Sequence, residues 1–256
     1  MARWIVKAAI QRLLGFLPGR HFWNGLIQER ISKSTQLKKS TFEKMLRTTH
    51  QHYAYFLQHS GFSPGDPFTV FELGTGWHPI LPVALFLCGA RTVWTFDIAP
   101  LLKMHRVKET LEMFVEHHQS GQLQELLPHA DAQRVDQLYS LKPEKYQTPQ
   151  ELLASIQIDA RTGNAAQSGL EQSSIDLIVS NVVLEYITPE PMTTIFQELH
   201  RLASANAVMS HDVDLADQYA YFDSSITPYN FLRFSPLIWR ISNNPFIPLN
   251  RLQGSD

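Results

Sequence analysis

Apolar residues along this chain change their period twice. From residue 2 to 17 they recur at helical spacing, with Trp4, Ile5, Ala8, Ala9, Leu13 and Phe16 near one face and Arg3, Lys7 and Arg12 largely outside it. Pro18-Gly19 stops that segment. Helical spacing resumes over residues 23–60, with Phe42, Met45, Leu46, Tyr53, Phe56 and Leu57 as the apolar positions, Ser40 or Thr41 as a cap and Gly61 as the stop. The loop Ser63-Pro64-Gly65-Asp66-Pro67 closes this helical leader.

After the loop, short apolar runs alternate with helical stretches. Strands are predicted at Phe68–Leu73, Arg91–Ile98, Ser155–Ile158, Ile175–Ser180 and Ala207–Ser210. Helices are predicted at Pro79–Gly89, 100–118, 122–138 and Pro189–Leu202. Strands separated by helices pair in parallel through right-handed crossovers. The expected fold is α/β: a Rossmann-like, doubly wound, mostly parallel sheet with helices on both faces. An N-terminal helical extension, residues 1–62, precedes a sheet domain, residues 63–256. Residues 213–256 supply no clear further strands.

With 44% hydrophobic and 18% charged residues, the 256-residue chain reads as globular rather than disordered. Its one cysteine, Cys88, lies in an apolar run and reads as a small buried hydrophobe. A single cysteine forms no internal disulfide and no CxxC metal site, so a reducing cytoplasm is expected, and no metal. The net charge of −2 is unevenly spread: residues 1–50 hold ten Lys/Arg against two Asp/Glu, which leaves the remainder acidic. The basic amphipathic start has two readings, a helix packed on its own domain or a peripheral contact with a membrane surface through residues 2–17. No uncharged apolar run is long enough to span a bilayer.

The chemistry concentrates at Val70-Phe71-Glu72-Leu73-Gly74-Thr75-Gly76-Trp77-His78-Pro79. A strand enters, glycines turn the chain and a helix leaves. Such turns bring a ligand close to the backbone. A dinucleotide fingerprint places a third glycine where this chain has Pro79. Glu72 at the strand end would repel a pyrophosphate and would suit a cationic ligand end. Asp97 closes the next strand, where a carboxylate can accept both hydroxyls of a ribose. Asp159, after the third strand, could accept from an adenine amino group.

Those residues carry a family resemblance. Glu72-Leu73-Gly74-Thr75-Gly76 resembles the first motif of class I S-adenosylmethionine-dependent methyltransferases. Asp97, with Ile98 beside it, resembles the acidic ribose ligand, and Ile158-Asp159-Ala160 the adenine-contacting turn. Ser180-Asn181-Val182-Val183-Leu184-Glu185-Tyr186 is similar to the segment after the fourth strand in the small-molecule branch, which adds Asn181 to the expected cofactor-binding set. The resemblance covers about residues 68–212. It departs at His78-Pro79, where small residues are usual, and at the missing closing strands. It implies S-adenosylmethionine as methyl donor; a hydroxyl or carboxylate oxygen of a small molecule, lipid or glycan is the acceptor that remains expected.

His211, followed by Asp212 and Asp214, is the candidate general base; capping or simple exposure is an equal reading of the same residue. No Asn/Asp-Pro-Pro-Tyr segment follows the fourth strand and the sheet domain carries no basic and aromatic patch, so no nucleic acid is expected. The aromatic residues Tyr219, Tyr221, Phe222, Tyr229, Phe231, Phe234 and Trp239 read as core or as a lid. The rival functions are a non-catalytic binding subunit on the same fold and a NAD(P)- or flavin-dependent oxidoreductase.

Overall fold

The computed structural model describes residues 4–5, 36–217, 219–221, 223–243 and 249. The expected helix over 2–17, apart from helical Trp4 and Ile5, and the part of the second helix before residue 36 lie outside these residues. The chain forms two compact units. The sheet unit comprises Leu37–Asn181 and Thr193–Asp212; the tail unit comprises Met1–Gln36, Val182–Met192 and Val213–Asp256.

The sheet unit opens with α1 (Lys39–Ser60), followed by β1 (Phe68–Leu73), α2 (Ile80–Leu87), β2 (Ala90–Asp97) and α3 (Met104–Gln119). Next come α4 (Gln122–Leu126), α5 (Ala132–Ser140), α6 (Pro149–Ala154), β3 (Ile158–Thr162) and β4 (Ile175–Asn181). The last elements of the sheet are α7 (Pro189–Leu202), whose first turn belongs to the tail unit, and β5 (Ala203–Asp212). All five strands are parallel, in the order β3-β2-β1-β4-β5. This is a Rossmann-like α/β sheet. Among the described residues no strand follows Asp212.

β1 sits at the centre, and all six of its residues are buried. A strand covered on both faces needs a continuous apolar run, which Phe68–Leu73 nearly supplies. Successive side chains leave by opposite faces. Val70, Val93, Leu177 and Val179 therefore join one core with Phe42, Leu46, Tyr53 and Phe56 of α1 and with the whole of α2. Phe71 and Phe96 stack on the other face with ring centroids 5.1 Å apart. There Phe196 of α7 meets His211 edge-on at 5.7 Å.

The structure redraws three of the expected boundaries. The stretch read as one helix over 122–138 is broken into α4 and α5 by Leu127–Asp131. Pro128, which has no amide hydrogen to continue the first helix, sits in that break. Asp131 then caps α5 by accepting from the Arg134 amide at 3.0 Å. The third strand begins at Ile158, where the expected one ended, because Thr148 caps α6 with Pro149 in its first turn and Ser155–Gln157 makes the turn into the sheet. The seam expected at residue 62 is absent: α1 belongs to the sheet unit and packs on α2, β4 and β5. Its helix starts after Lys38, so Ser40 and Thr41 lie in the first turn rather than capping it, while Gly61 ends it at φ 79° as expected.

The described part of the tail unit gathers Phe231, Trp239 and Leu249 into a small apolar cluster, with Tyr186 and Phe234 against it. Trp4 rests on Tyr219 and Phe234, at 5.8 and 5.6 Å, and its amide donates to Asp223 at 3.0 Å. The short α8 (Pro236–Ser242) is capped by Ser235. Tyr221 and Tyr229 are exposed, so the expected aromatic group divides into core and surface members; Phe222 lies outside the described residues. No helix among the described residues is long and apolar enough to cross a membrane.

Phe42 is fully buried and packs edge-on against Phe114 at 4.9 Å. Phe42→Ala is expected to destabilise the sheet unit by about 3–5 kcal/mol, the range for a core phenylalanine. Urea unfolding measures it; a loss of under about 1 kcal/mol would mean that α1 is a detachable leader.

Candidate active site

The site is built where β1 and β2 end side by side. Gly74 and Gly76 have φ of 88° and 68°, in the left-handed region that a side chain disfavours. These two angles turn the chain back over the sheet. The Gly74 amide donates to the Phe96 carbonyl at 2.7 Å, which holds the turn against β2. A Cβ added at Gly76 would meet no atom within 4 Å, so that glycine faces open space.

Asp97 closes β2 and is fixed from two sides. One carboxylate oxygen accepts from the Gly76 amide at 2.9 Å, the other from the Ala99 amide at 3.0 Å. Each oxygen keeps a second acceptor site. Thr75, Gly76, Asp97, Ala99, Leu101, Leu102, Gln150, Ala160, Arg161 and Thr162 line a shallow crevice. It lies at the carboxyl ends of β1, β2 and β3, where open parallel sheets bind ligands.

Of the residues expected to bind a cofactor, the structure brings Thr75, Gly76, Asp97 and Ala160 into this crevice. Gly74 shapes the turn behind it. Ile98 is 79% exposed at the tip of β2. Asn181 ends β4, opposite Asp212 on β5. Asp159 does not follow its strand; it is the second residue of β3, paired with Trp94. Arg161, two residues on and so on the same face, clasps it through two contacts of 3.1 Å and lies 4.4 Å over the Trp94 ring. The crevice edge is therefore Ala160–Thr162 rather than the Asp159 carboxylate.

Glu72 also differs from expectation. It is 3% exposed, and its carboxyl turns inward to accept from the Thr95 hydroxyl, which is in turn hydrogen-bonded to the Thr75 hydroxyl. Burial, with a smaller push from Asp97, raises its pKa to about 8 against the Thr95 hydrogen bond. Glu72 is thus mainly a neutral acid at pH 7.

α2 starts next to the turn, but its first turn is poor in free amide hydrogens. Pro79 and Pro82 have none, the Ile80 amide donates to the His78 carbonyl at 2.8 Å, and the Val83 amide to the Pro79 carbonyl at 3.2 Å. A diphosphate is held by such amides. Next to them, Arg106 of α3 lies 4.1 Å over the Trp77 ring, and His78 faces Thr110 and Glu109 at 3.4 and 3.9 Å.

At the other end of the sheet, His211 lies beside Ser180 of β4, its Nδ1 2.8 Å from the serine hydroxyl. Burial, helped by nearby His52, pushes its pKa down to about 4. Asp212 points the opposite way, as alternation requires, and acts on His52 of α1 instead. His52 lies 2.7 Å from the Ser210 hydroxyl and is held down to about 4 by burial. Among the described residues, neither imidazole has a hydrogen-bond partner at Nε2. Just past β4, Val182 holds φ 56°, a conformation that costs a β-branched residue about 1–3 kcal/mol.

The sequence reading missed Thr95, Gln150, Leu101, Leu102 and Arg161. Period-two spacing from Asp97 pointed to Thr95, and from Asp159 to Arg161. Nothing local marked Gln150, since only the fold brings α6 to the crevice.

No protein-family model matches the sequence, and no curated protein matches it. Similar solved structures include phosphoethanolamine N-methyltransferase 1 of Haemonchus contortus, bound to phosphoethanolamine and S-adenosylhomocysteine, at 15% identity and a TM-score of 0.42. An S-adenosylmethionine-dependent methyltransferase from Mesorhizobium loti is similar at 13% identity and 0.35. The geranyl diphosphate C-methyltransferase of Streptomyces coelicolor is similar at 13% and 0.35. The matches cover 82, 64 and 62% of this chain and 34, 55 and 43% of those chains, in the same order.

The buried histidines make the fold acid-sensitive. Their pKa values are lower folded than unfolded, so the unfolded chain takes up more protons as pH falls from about 6.5 to 4. For His52 alone the loss should approach about 3 kcal/mol near pH 4. Urea melts between pH 7 and 4 should show it, and His52→Asn should flatten the slope. An unchanged slope would mean that His52 is not held neutral.

Proposed function

We propose that this chain is an S-adenosylmethionine-dependent methyltransferase acting on a small-molecule, lipid or glycan acceptor, with oxygen as the methylated atom. The observation that carries the reading is Asp97, held by two backbone amides at the lip of the crevice with one acceptor site free on each oxygen. That arrangement suits the vicinal diol of a ribose. Beside it, Leu101 and Leu102 offer apolar wall for a flat base, and Gly76 leaves room for a ligand against the backbone.

The same diol would suit a dinucleotide. The amide-poor start of α2 argues against one, because a diphosphate draws on first-turn amide hydrogens, which Pro79 and Pro82 lack and which Ile80 gives to the His78 carbonyl. The donor would supply an activated methyl group, and what remains for the protein is mainly alignment. His211 is assigned as the residue that takes the acceptor's proton. Ser180 fixes its Nδ1 side and leaves Nε2 as the acceptor; burial keeps the ring neutral at pH 7 and lowers its basicity.

Thermal shift with S-adenosylmethionine, S-adenosylhomocysteine, NAD and NADP tests the ligand class. The first two should stabilise, by about 2.7 kcal/mol at 100 times the dissociation constant, and the nicotinamides should not. Stabilisation by NAD alone would replace this reading with an oxidoreductase.

Asp97→Ala should weaken donor binding at least about tenfold, since a hydrogen bond to a charged group contributes roughly 1.5–3 kcal/mol. His211→Ala should lower turnover at unchanged donor affinity. Donor binding without transfer of labelled methyl to any fraction of a cell extract would make the chain a non-catalytic binding subunit.

A further inference from the structure

The buried chain Glu72–Thr95–Thr75 begins at a carboxyl and ends at a residue that lines the crevice. All three residues are buried, and Thr95 has no exposed surface. Glu72 lies between Thr95 on β2 and Val179 on β4. The helix packed nearby, α2, carries no titratable side chain. Asp97 is the charged group that acts on Glu72, and it disfavours ionisation. His52 of α1 is engaged instead with Ser210 and Asp212 of β5, the outer neighbour of β4. His78 in the turn faces α3. Arg106 of α3 is buried over the Trp77 ring beside the turn. Among the described residues, the groups that act on the Glu72 carboxyl are Thr95 and Asp97, and neither is a cation.

We propose that Glu72 is a proton-coupled sensor of ligand charge: a cationic ligand entering the crevice drives the acid to ionise, and its proton leaves along the Thr95 and Thr75 hydroxyls to solvent. This rests on the reading that the crevice takes a sulfonium amino acid. The balance is simple. The O–H bond of Glu72 breaks, buffer takes the proton, and the carboxylate that remains is neutralised by the ligand's positive charge. Thr95 is a positioning residue in this account: its hydroxyl donates to the charged form and links it to Thr75. A neutral ligand would draw no proton out, so the device favours charged donors over neutral nucleosides.

The test is titration calorimetry of the full chain with S-adenosylmethionine at pH 6.5, in buffers of different ionisation enthalpy. At this pH the ligand's own amine is almost fully protonated. The wild type should release close to one proton, and its affinity should rise up to about tenfold per pH unit between pH 6 and 7. Glu72→Gln should release none and lose that pH dependence. Thr95→Val should release less and bind more weakly, while Thr95→Ser should restore both. 5′-Methylthioadenosine, which is uncharged, should bind without proton release. Binding of S-adenosylmethionine with no proton exchange and a flat pH profile would overturn the proposal and leave the donor site standing. No binding heat in any buffer, with no thermal shift, would instead remove the donor reading and this proposal with it. The wild-type buffer series decides the matter even if a variant fails to fold.

Discussion

The site depends on one carboxylate held by two amides. Asp97 accepts from Gly76 in the turn after β1 and from Ala99 just beyond its own strand. Those bonds join two strand tips into one rim and leave acceptor capacity turned to the crevice. Charge-assisted bonds of this kind are about twice as strong as neutral ones. The Gly74–Phe96 bond and the Thr75–Thr95 hydroxyl pair hold the rest of the turn, with its left-handed angles at Gly74 and Gly76, against β2.

The acids near the turn take different roles because their surroundings differ. Asp97 is partly exposed and amide-bound. Glu72 lies deep, with hydroxyls as partners, and burial favours its neutral form. Asp159 is partly exposed and given over to Arg161. A row of carboxylates that looks uniform in sequence thus becomes a ligand acceptor, a protonated acid and half of an ion pair. The start of α2 shows the same economy of means: two prolines and the Ile80–His78 bond take away most of the first-turn donors an anion site would use.

Much of the fold was legible because period decides it. The run Phe68–Leu73 and the alternation in Arg91–Ile98 gave the central strands, and the glycines between them gave the turn. What was not legible depended on long-range packing. The start of β3 was misplaced because Ser155–Gln157 is as apolar-flanked as the strand it precedes, and only the α6 cap shows where the helix ends. α1 read as a leader because Gly61 and the proline loop after it look like a seam, yet its aromatic face belongs to the core. The inward turn of Glu72 could not be read from spacing, since the same alternation serves a side chain that reaches a ligand and one that reaches Thr95.

What lies against Asp97 in the ligand-bound protein decides whether this crevice is a donor site. A crystal structure of the full chain with S-adenosylhomocysteine measures this directly. Both ribose hydroxyls should lie within hydrogen-bonding distance of the two Asp97 oxygens, with the base beside Leu101 and Leu102. Density for the nucleoside elsewhere, or an Asp97 carboxylate left facing solvent beside a bound ligand, would contradict it.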